Sequence, residues 1–391
     1  MNICFITSDY VNPYQGGVER VTYNLYNAIK SQGHKVFIIS KEKPRNNTEK
    51  QVDYCINLPE ENTCSNKNLE FLSNFIIEHR IEFFVNNSHH LSILELLIKV
   101  KNKTTFKLVS TIHTDPTYLV KGLRDTWDAT LSKKKNKFFI LYYIFRFAVR
   151  YYMRRKSLIE KYNRLYNYSD ALVVLSEYYV PEILKLLDLK SSDKITAISN
   201  PLPNRSDSHL CKKNKIVIWV GRMELEAKRP DRIIKIWEKI GSISKDWKLY
   251  MVGDGTLKTC LEDYCWKRNI NNVIFTGRTN PIPFYKKANI LCLTSTYEGF
   301  GIVLTEALQH NVIPIAFDSY GAIHDIIINE KTGFLIEPFN LQQYADCLSK
   351  MIYDNNLRGN IRNNILQNQN LDKFNINYIV KQWINLFESL K

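Results

Sequence analysis

Short apolar runs and stretches of helical spacing take turns along this chain, and the alternation happens twice. Continuous apolar runs rich in β-branched residues predict buried strands at 1–7, 35–40, 81–86, 106–112, 170–176 and 194–198. Between them, Val18, Val21, Leu25, Ala28 and Ile29 mark one face of a helix that stops at Gly33. Further helices are predicted at 69–79, 90–101 and 182–187, and the polar segment 43–66 reads as loop with a short strand near 52–57. After Asn200-Pro201 and a polar run over 204–214, the alternation starts again. It predicts strands at 216–220, 247–252, 272–275, 290–293 and 312–317, and helices at 231–240, 257–266 and 341–354. A further helix starts after Gly301, carries Ile302, Leu304, Thr305, Ala307 and Leu308 on its apolar spacing, and is ended by Asn311 and Pro314.

Strands separated by single helices make parallel sheets, so the fold class is α/β with two doubly wound halves. At 391 residues the chain exceeds one ordinary core, and 45% apolar content fills two. The expected division is 1–202, 203–370 and a C-terminal helix within 371–391 that can pack back on the first half. Two such halves leave a cleft, which suits an enzyme with two substrates.

Open α/β sheets bind ligands at the carboxyl ends of their strands, and the chemistry of this chain collects there. Glu298-Gly299-Phe300-Gly301 joins a strand to a helix, where free backbone N–H groups favour anions and Glu306 stands about one turn further on. Gly221-Arg222 follows another strand and Lys228 comes six residues later, a fixed bidentate cation and a mobile point cation suited to a diphosphate. The loops at Gly253 and Gly277 offer main-chain groups to a base and ribose. In the first half, Gly16-Gly17 opens a helix and His113 stands just past a strand end. Taken alone, each loop reads first as a plain turn and the Glu298–Glu306 stretch as a surface loop with two solvated glutamates, while His113 is equally a satisfied core histidine. Four glycine loops on one sheet edge argue otherwise.

Charge changes the picture in one place. Residues 121–164 hold thirteen Lys and Arg against three acids, so they carry +10 of the net +15. Lys133, Lys134, Lys135 and Lys137 precede the 16-residue aromatic-rich run 138–153, which contains Arg146 and Arg150. A span needs about 20 apolar residues, and each central Arg costs about 2.5–3.5 kcal/mol, so crossing a membrane is disfavoured. A basic, aromatic helix lying in an anionic membrane surface fits the pattern; a core helix with solvated basic flanks is the plainer alternative. No nucleic-acid module accompanies the basic residues, although the charge keeps a nucleic-acid-binding protein in view. The eight cysteines are scattered and form no zinc pattern, and the N-terminus reads as a strand instead of a signal peptide. The expectation is a cytoplasmic protein, peripheral on the inner face of the cytoplasmic membrane.

These residues together resemble the retaining glycosyltransferases of the GT-B fold, specifically glycosyltransferase family 4. The resemblance runs through G-G-V-E-R, Ile112-His113-Thr114, Asn200-Pro201, G-R-M-E-L-E-A-K, V-G-D-G, F-T-G and E-G-F-G-I-V-L-T-E, so it covers nearly the whole chain. It implies two Rossmann-like domains facing a cleft, an acceptor-binding first half and a donor-binding second. Arg222 and Lys228 would grip the donor diphosphate and Glu306 the ribose hydroxyls. Glu298 would contact the donor sugar, with the Phe300 and Gly301 N–H groups nearby. His113 would hold a sugar hydroxyl, and Gly16 and Gly17 would close over phosphates or acceptor. The implied reaction transfers a sugar from a nucleotide-diphosphate sugar, with uridine the family's commonest base, to a lipid-linked or oligosaccharide acceptor. No cofactor or metal is expected, because the chain has no D-x-D clamp. A sugar-nucleotide epimerase or phosphorylase of the same fold stays open. One departure stands out: Arg229 follows Lys228 where many members have glycine.

Overall fold

The computed structural model describes residues 1–12, 16–43, 55–88, 90–131, 137–202, 212–367 and 369–391. His89 and the expected membrane residues Lys133, Lys134 and Lys135 lie outside them; Lys137 heads a helix, but its side chain is not among those described.

Contacts divide the chain into two units, Met1–Pro116 with Met153–Pro203 and Lys373–Lys391, and Thr117–Tyr152 with Asn204–Asp372. The first holds a seven-stranded sheet of β1 (Asn2–Thr7), β2 (Lys35–Ser40), β3 (Cys55–Asn57), β4 (Phe83–Asn86), β5 (Lys107–Ile112), β6 (Ala171–Val174) and β7 (Ile195–Ala197). Their order is β3-β2-β1-β4-β5-β6-β7, with every pairing parallel. The centre is buried on both faces, which is why β6 reads as an unbroken apolar run and β4 as one that reaches to Val85: every residue of both is buried, Asn86 included. The C-terminal helix Ile376–Ser389 belongs to this unit. It buries Ile379, Val380, Trp383 and Phe387, sets Phe387 4.8 Å from Phe83, and is preceded by a Leu202 N–H to Phe374 carbonyl bond of 2.7 Å.

The second unit's sheet contains β8 (Ile216–Val220), β9 (Lys248–Val252), β10 (Val273–Gly277), β11 (Ile290–Leu293), β12 (Ile313–Phe317) and β13 (Phe334–Ile336), in the order β10-β9-β8-β11-β12-β13 and again parallel. The α/β class with two Rossmann-like sheets is therefore the fold.

Three local differences from the sequence reading have clear causes. Pro314 does not end a helix. The helix Ile302–Gln309 has already stopped before Asn311, at φ 55°, and Pro314 sits inside β12. It is tolerated there because β13 pairs only from Ile315 onward, so no ladder bond needs the missing N–H. Short elements also lack a readable period: β13 has three residues, and the helix Ile282–Lys287 is flanked and interrupted by Pro281 and Pro283.

The third difference concerns 117–152, which groups with the second unit instead of the first. It contains the helix Tyr118–Leu131 and the start of the 32-residue helix Lys137–Tyr168. That long helix is anchored at its far end by buried Leu158, Tyr162 and Leu165. Earlier, Tyr142, Ile144, Phe145, Val149, Tyr151, Tyr152 and Met153 are all exposed, Phe145 and Tyr152 by 68% each. Arg146, Arg150 and Arg154 follow one another at four-residue spacing, so they share one stripe of this helix. No described helix is long and apolar enough to cross a membrane.

Candidate active site

The chain leaves β8 towards one edge of the second sheet and returns to β11 on its other side. At such a switch point the two strand-end loops part and leave a crevice. The loop after β8 carries Gly221 to Arg229, and the loop after β11 carries Thr294 to Gly301.

Main-chain and side-chain bonds lace these loops together. The Thr296 N–H donates to the Ala227 carbonyl at 2.8 Å, the Thr294 hydroxyl to the Arg229 carbonyl at 3.0 Å, and the Trp219 indole to the Thr294 hydroxyl at 3.1 Å. Across this seam Lys228 Nζ donates to Glu298 Oε1 at 2.6 Å, and the Ser295 hydroxyl donates to the same oxygen at 2.6 Å. Glu298 is only 12% exposed, so its charge needs these partners. Arg222 behaves differently. Its side chain is 79% exposed, and its contact with Glu224 is a long 3.8 Å. The expectation of a fixed arginine and a mobile lysine is thus reversed: the lysine is the closely paired, part-buried cation and the arginine the exposed one.

Glycine is required where the loops touch. Gly253 has φ 140°, and a Cβ there would fall 1.9 Å from the Gly221 carbonyl oxygen. The loop after β9 therefore lies directly against the loop after β8, and Gly253 N–H donates to the Gly277 carbonyl at 3.1 Å. Gly301 has φ 89° and would place a Cβ 2.3 Å from the Tyr320 hydroxyl. It starts the helix Ile302–Gln309 with no side-chain cap, which leaves first-turn N–H groups available to an anion. The Phe300 side chain is buried, so only its main chain can serve a ligand.

Glu306 has a separate partner. The hydroxyl of fully buried Tyr285 donates to its Oε2 at 3.0 Å. Tyr285 stacks on His310 at 5.6 Å, and Lys213 Nζ donates to the carbonyls of both, at 2.9 and 2.7 Å. His310 Nδ1 lies 2.9 Å from the Glu306 carbonyl, and burial lowers its pKa, so the ring is neutral at pH 7 and donates from Nδ1. Tyr285 was not legible as a site residue, since it lies in the proline-flanked helix that the periodicity did not reveal. Ser295 carried no signal beyond its place at a strand end.

In the first unit, Gly16 is extended at φ −126° and precedes the helix Gly17–Ser31, and half-buried His113 follows β5. Both stand at the carboxyl edge of that sheet. The seven described cysteines are free.

Comparison with known proteins places the chain by family model and by fold. Residues 15–203 match the family model "Glycosyltransferase Family 4" and residues 203–368 match "Glycosyl transferases group 1". An uncharacterized glycosyltransferase of Haemophilus influenzae is 25% identical over 342 residues, which are 86% of this chain and 87% of that protein. The GalNAc-alpha-(1->4)-GalNAc-alpha-(1->3)-diNAcBac-PP-undecaprenol alpha-1,4-N-acetyl-D-galactosaminyltransferase of Campylobacter jejuni is 30% identical over 236 residues, 58% of this chain and 62% of that one. Among solved structures, a Staphylococcus aureus TarM mutant in complex with Fondaparinux, alpha-GlcNAc-glycerol and UDP superposes with a TM-score of 0.76 at 15% identity, covering 99% of this chain and all of that one. The chain is therefore a glycosyltransferase of the GT-B fold, whose first half matches the Glycosyltransferase Family 4 model and whose second half matches the Glycosyl transferases group 1 model.

Proposed function

We propose that this chain moves a sugar from a nucleoside-diphosphate sugar, with UDP the first choice, to a lipid-linked or growing glycan acceptor in cell-surface polysaccharide synthesis. In this reading the transfer keeps the donor's anomeric configuration and needs no metal ion. The observation that carries it is Lys228 held on Glu298 at the switch point, in the loop that leads into the uncapped helix Ile302–Gln309. A diphosphate there meets the Lys228 ammonium, the exposed Arg222 guanidinium and backbone N–H groups. All three oppose the charge that grows on the leaving group. As the phosphates draw Lys228 away, the Glu298 carboxylate turns to the hydroxyls of the donor sugar. Glu306, oriented by Tyr285, accepts the ribose hydroxyls, and the loops at Gly253 and Gly277 offer main-chain groups to the base. His113 serves a sugar hydroxyl, and Gly16 and Gly17 serve phosphates or acceptor. UDP in the TarM complex and the undecaprenol-linked substrate in the Campylobacter enzyme's name support the choice of donor base and acceptor class. The exposed aromatic helix supports a peripheral place on the inner, anionic face of the cytoplasmic membrane.

Thermal-shift titration with UDP, GDP, ADP and CDP should stabilise the protein with at least one of them. Transfer should then continue in excess EDTA and give a product with the donor's anomeric configuration by NMR. An absolute magnesium requirement, or an inverted product, overturns this part of the reading.

The two glutamates should separate by phenotype. Glu306→Ala should weaken nucleoside-diphosphate binding, and Glu298→Ala should lower turnover with binding less affected. Normal nucleotide affinity in Glu306→Ala removes the ribose assignment.

A further inference from the structure

The helix Tyr118–Leu131 comes from far upstream in sequence, yet one of its faces lies on the loop that carries Glu298. Tyr118 sits 5.8 Å from the ring of Tyr297, and a Cβ on Gly122 would touch that same ring at 3.3 Å. One turn further on, Asp125 is 8% exposed and enclosed. Its Oδ2 accepts from the Arg229 guanidinium and, at 2.8 Å, from the Thr296 hydroxyl, while Oδ1 accepts from the Arg232 guanidinium. Residues 118, 122 and 125 fall at helical spacing, so a single face makes all of these contacts.

Each partner of Asp125 is close in sequence to a donor-site residue. Arg229 directly follows Lys228, and Thr296 stands two residues before Glu298. Arg232 is 4% exposed; it donates to the Thr294 carbonyl at 3.0 Å and stacks 3.9 Å over Phe339. Burial, together with the neighbouring Arg229 charge, lowers its pKa to about 10. One carboxylate therefore bridges both strand-end loops and compensates two guanidiniums. Arg229 also holds a left-handed backbone, φ 48° and ψ 56°, as the cap of the helix Pro230–Ile240. This is the position where the sequence departs from glycine, and the left-handed backbone costs an arginine more than it would a glycine. Asp231 holds it from the other side with bonds of 2.8 and 3.0 Å.

We propose that Asp125 is a positioning residue of the donor site: its clasp on Arg229, Arg232 and Thr296 sets the register of Lys228 against Glu298. The same clasp fastens the helix that leads into the basic stretch to the donor-binding loops. The effect on activity rests on the sugar-transfer reading above, whereas the clasp itself does not.

The test compares wild type, Asp125→Asn, Arg229→Gly and the double variant by amide hydrogen exchange over 294–300, UDP affinity and thermal midpoint. Asp125→Asn keeps the shape and removes the charge. It should speed exchange over 294–300 and weaken UDP binding about tenfold, within the usual range of coupling between sites. Arg229→Gly suits the left-handed backbone and leaves Asp125 with Arg232 and Thr296, so it should fold and lose less affinity. In the double variant the neutral amide at position 125 no longer faces two guanidiniums, and part of the lost affinity should return. A lower midpoint in Asp125→Asn with wild-type exchange over 294–300 and wild-type UDP affinity overturns the proposal, because the clasp is then packing alone. Should Asp125→Asn not fold, the double variant is read in its place against Arg229→Gly, with the same two measurements deciding. If wild type binds no nucleoside diphosphate, the sugar-transfer reading fails, while exchange over 294–300 still decides whether the clasp orders the loop.

Discussion

Lys228→Ala should lower sugar transfer by about 10²–10³-fold, the usual loss when one preorganised group that stabilises leaving-group charge is removed. The structure adds a second expectation. Lys228 is the ion-pair partner of Glu298, so the alanine variant leaves that shielded carboxylate without its cation, with the Ser295 hydroxyl still donating to it. The thermal midpoint should therefore fall modestly, and recover when Glu298 is also changed to Gln. Arg222→Ala should lose a comparable share of activity with no change in midpoint, since its exposed contact with Glu224 is worth about 0–1 kcal/mol. Rates and midpoints on the three variants decide between a phosphate clamp and a structural ion pair. Wild-type transfer by Lys228→Ala removes the lysine from the mechanism.

Binding to anionic vesicles should be abolished when Lys133, Lys134, Lys135 and Lys137 are replaced by Glu. Each lysine near such a surface contributes about 1 kcal/mol, so the four together supply roughly 4 kcal/mol, or about three decades of partitioning at low salt. Salt should weaken the wild-type interaction progressively. Apolar insertion can be separated from this charge effect. Phe145 and Tyr152 are both widely exposed on the helix Lys137–Tyr168, so Phe145→Ser with Tyr152→Ser should weaken binding even to vesicles that the lysines still recognise. Donor hydrolysis, or transfer to a short soluble acceptor, should stay near wild type in both. Equal vesicle sedimentation of wild type and the charge-reversed protein would return this stretch to an ordinary solvated helix.

The sequence was most informative where structure is local. Buried parallel strands must be apolar on both faces, so β4, β6, β8 and β11 were visible as runs. The glycines at 253 and 301 were visible because strand-end loops with positive φ and close neighbours favour glycine over any residue with a Cβ. The limits have equally local causes. A three-residue strand such as β13 is too short to show a period, and Pro314 looked like a helix stop because its freedom from the ladder depends on where β13 begins. Exposure along 142–153 could not be read from aromatic content, since the same residues would serve a core helix.

Periodicity and strand-end residue types by themselves thus determined that two parallel sheets carry their polar chemistry on strand-end loops, and placed Lys228, Glu298 and Glu306 on or just beyond those loops. Only the tertiary structure decided which charges meet. Lys228 stands 70 residues from the Glu298 it holds, and Asp125 stands 104 and 107 residues from the two arginines it joins. Partners so far apart are set by the order in which strands enter the sheet and by the docking of one helix face. Neither leaves a periodic trace in the chain, because both rest on contacts between residues far apart in sequence and not on a locally repeated pattern.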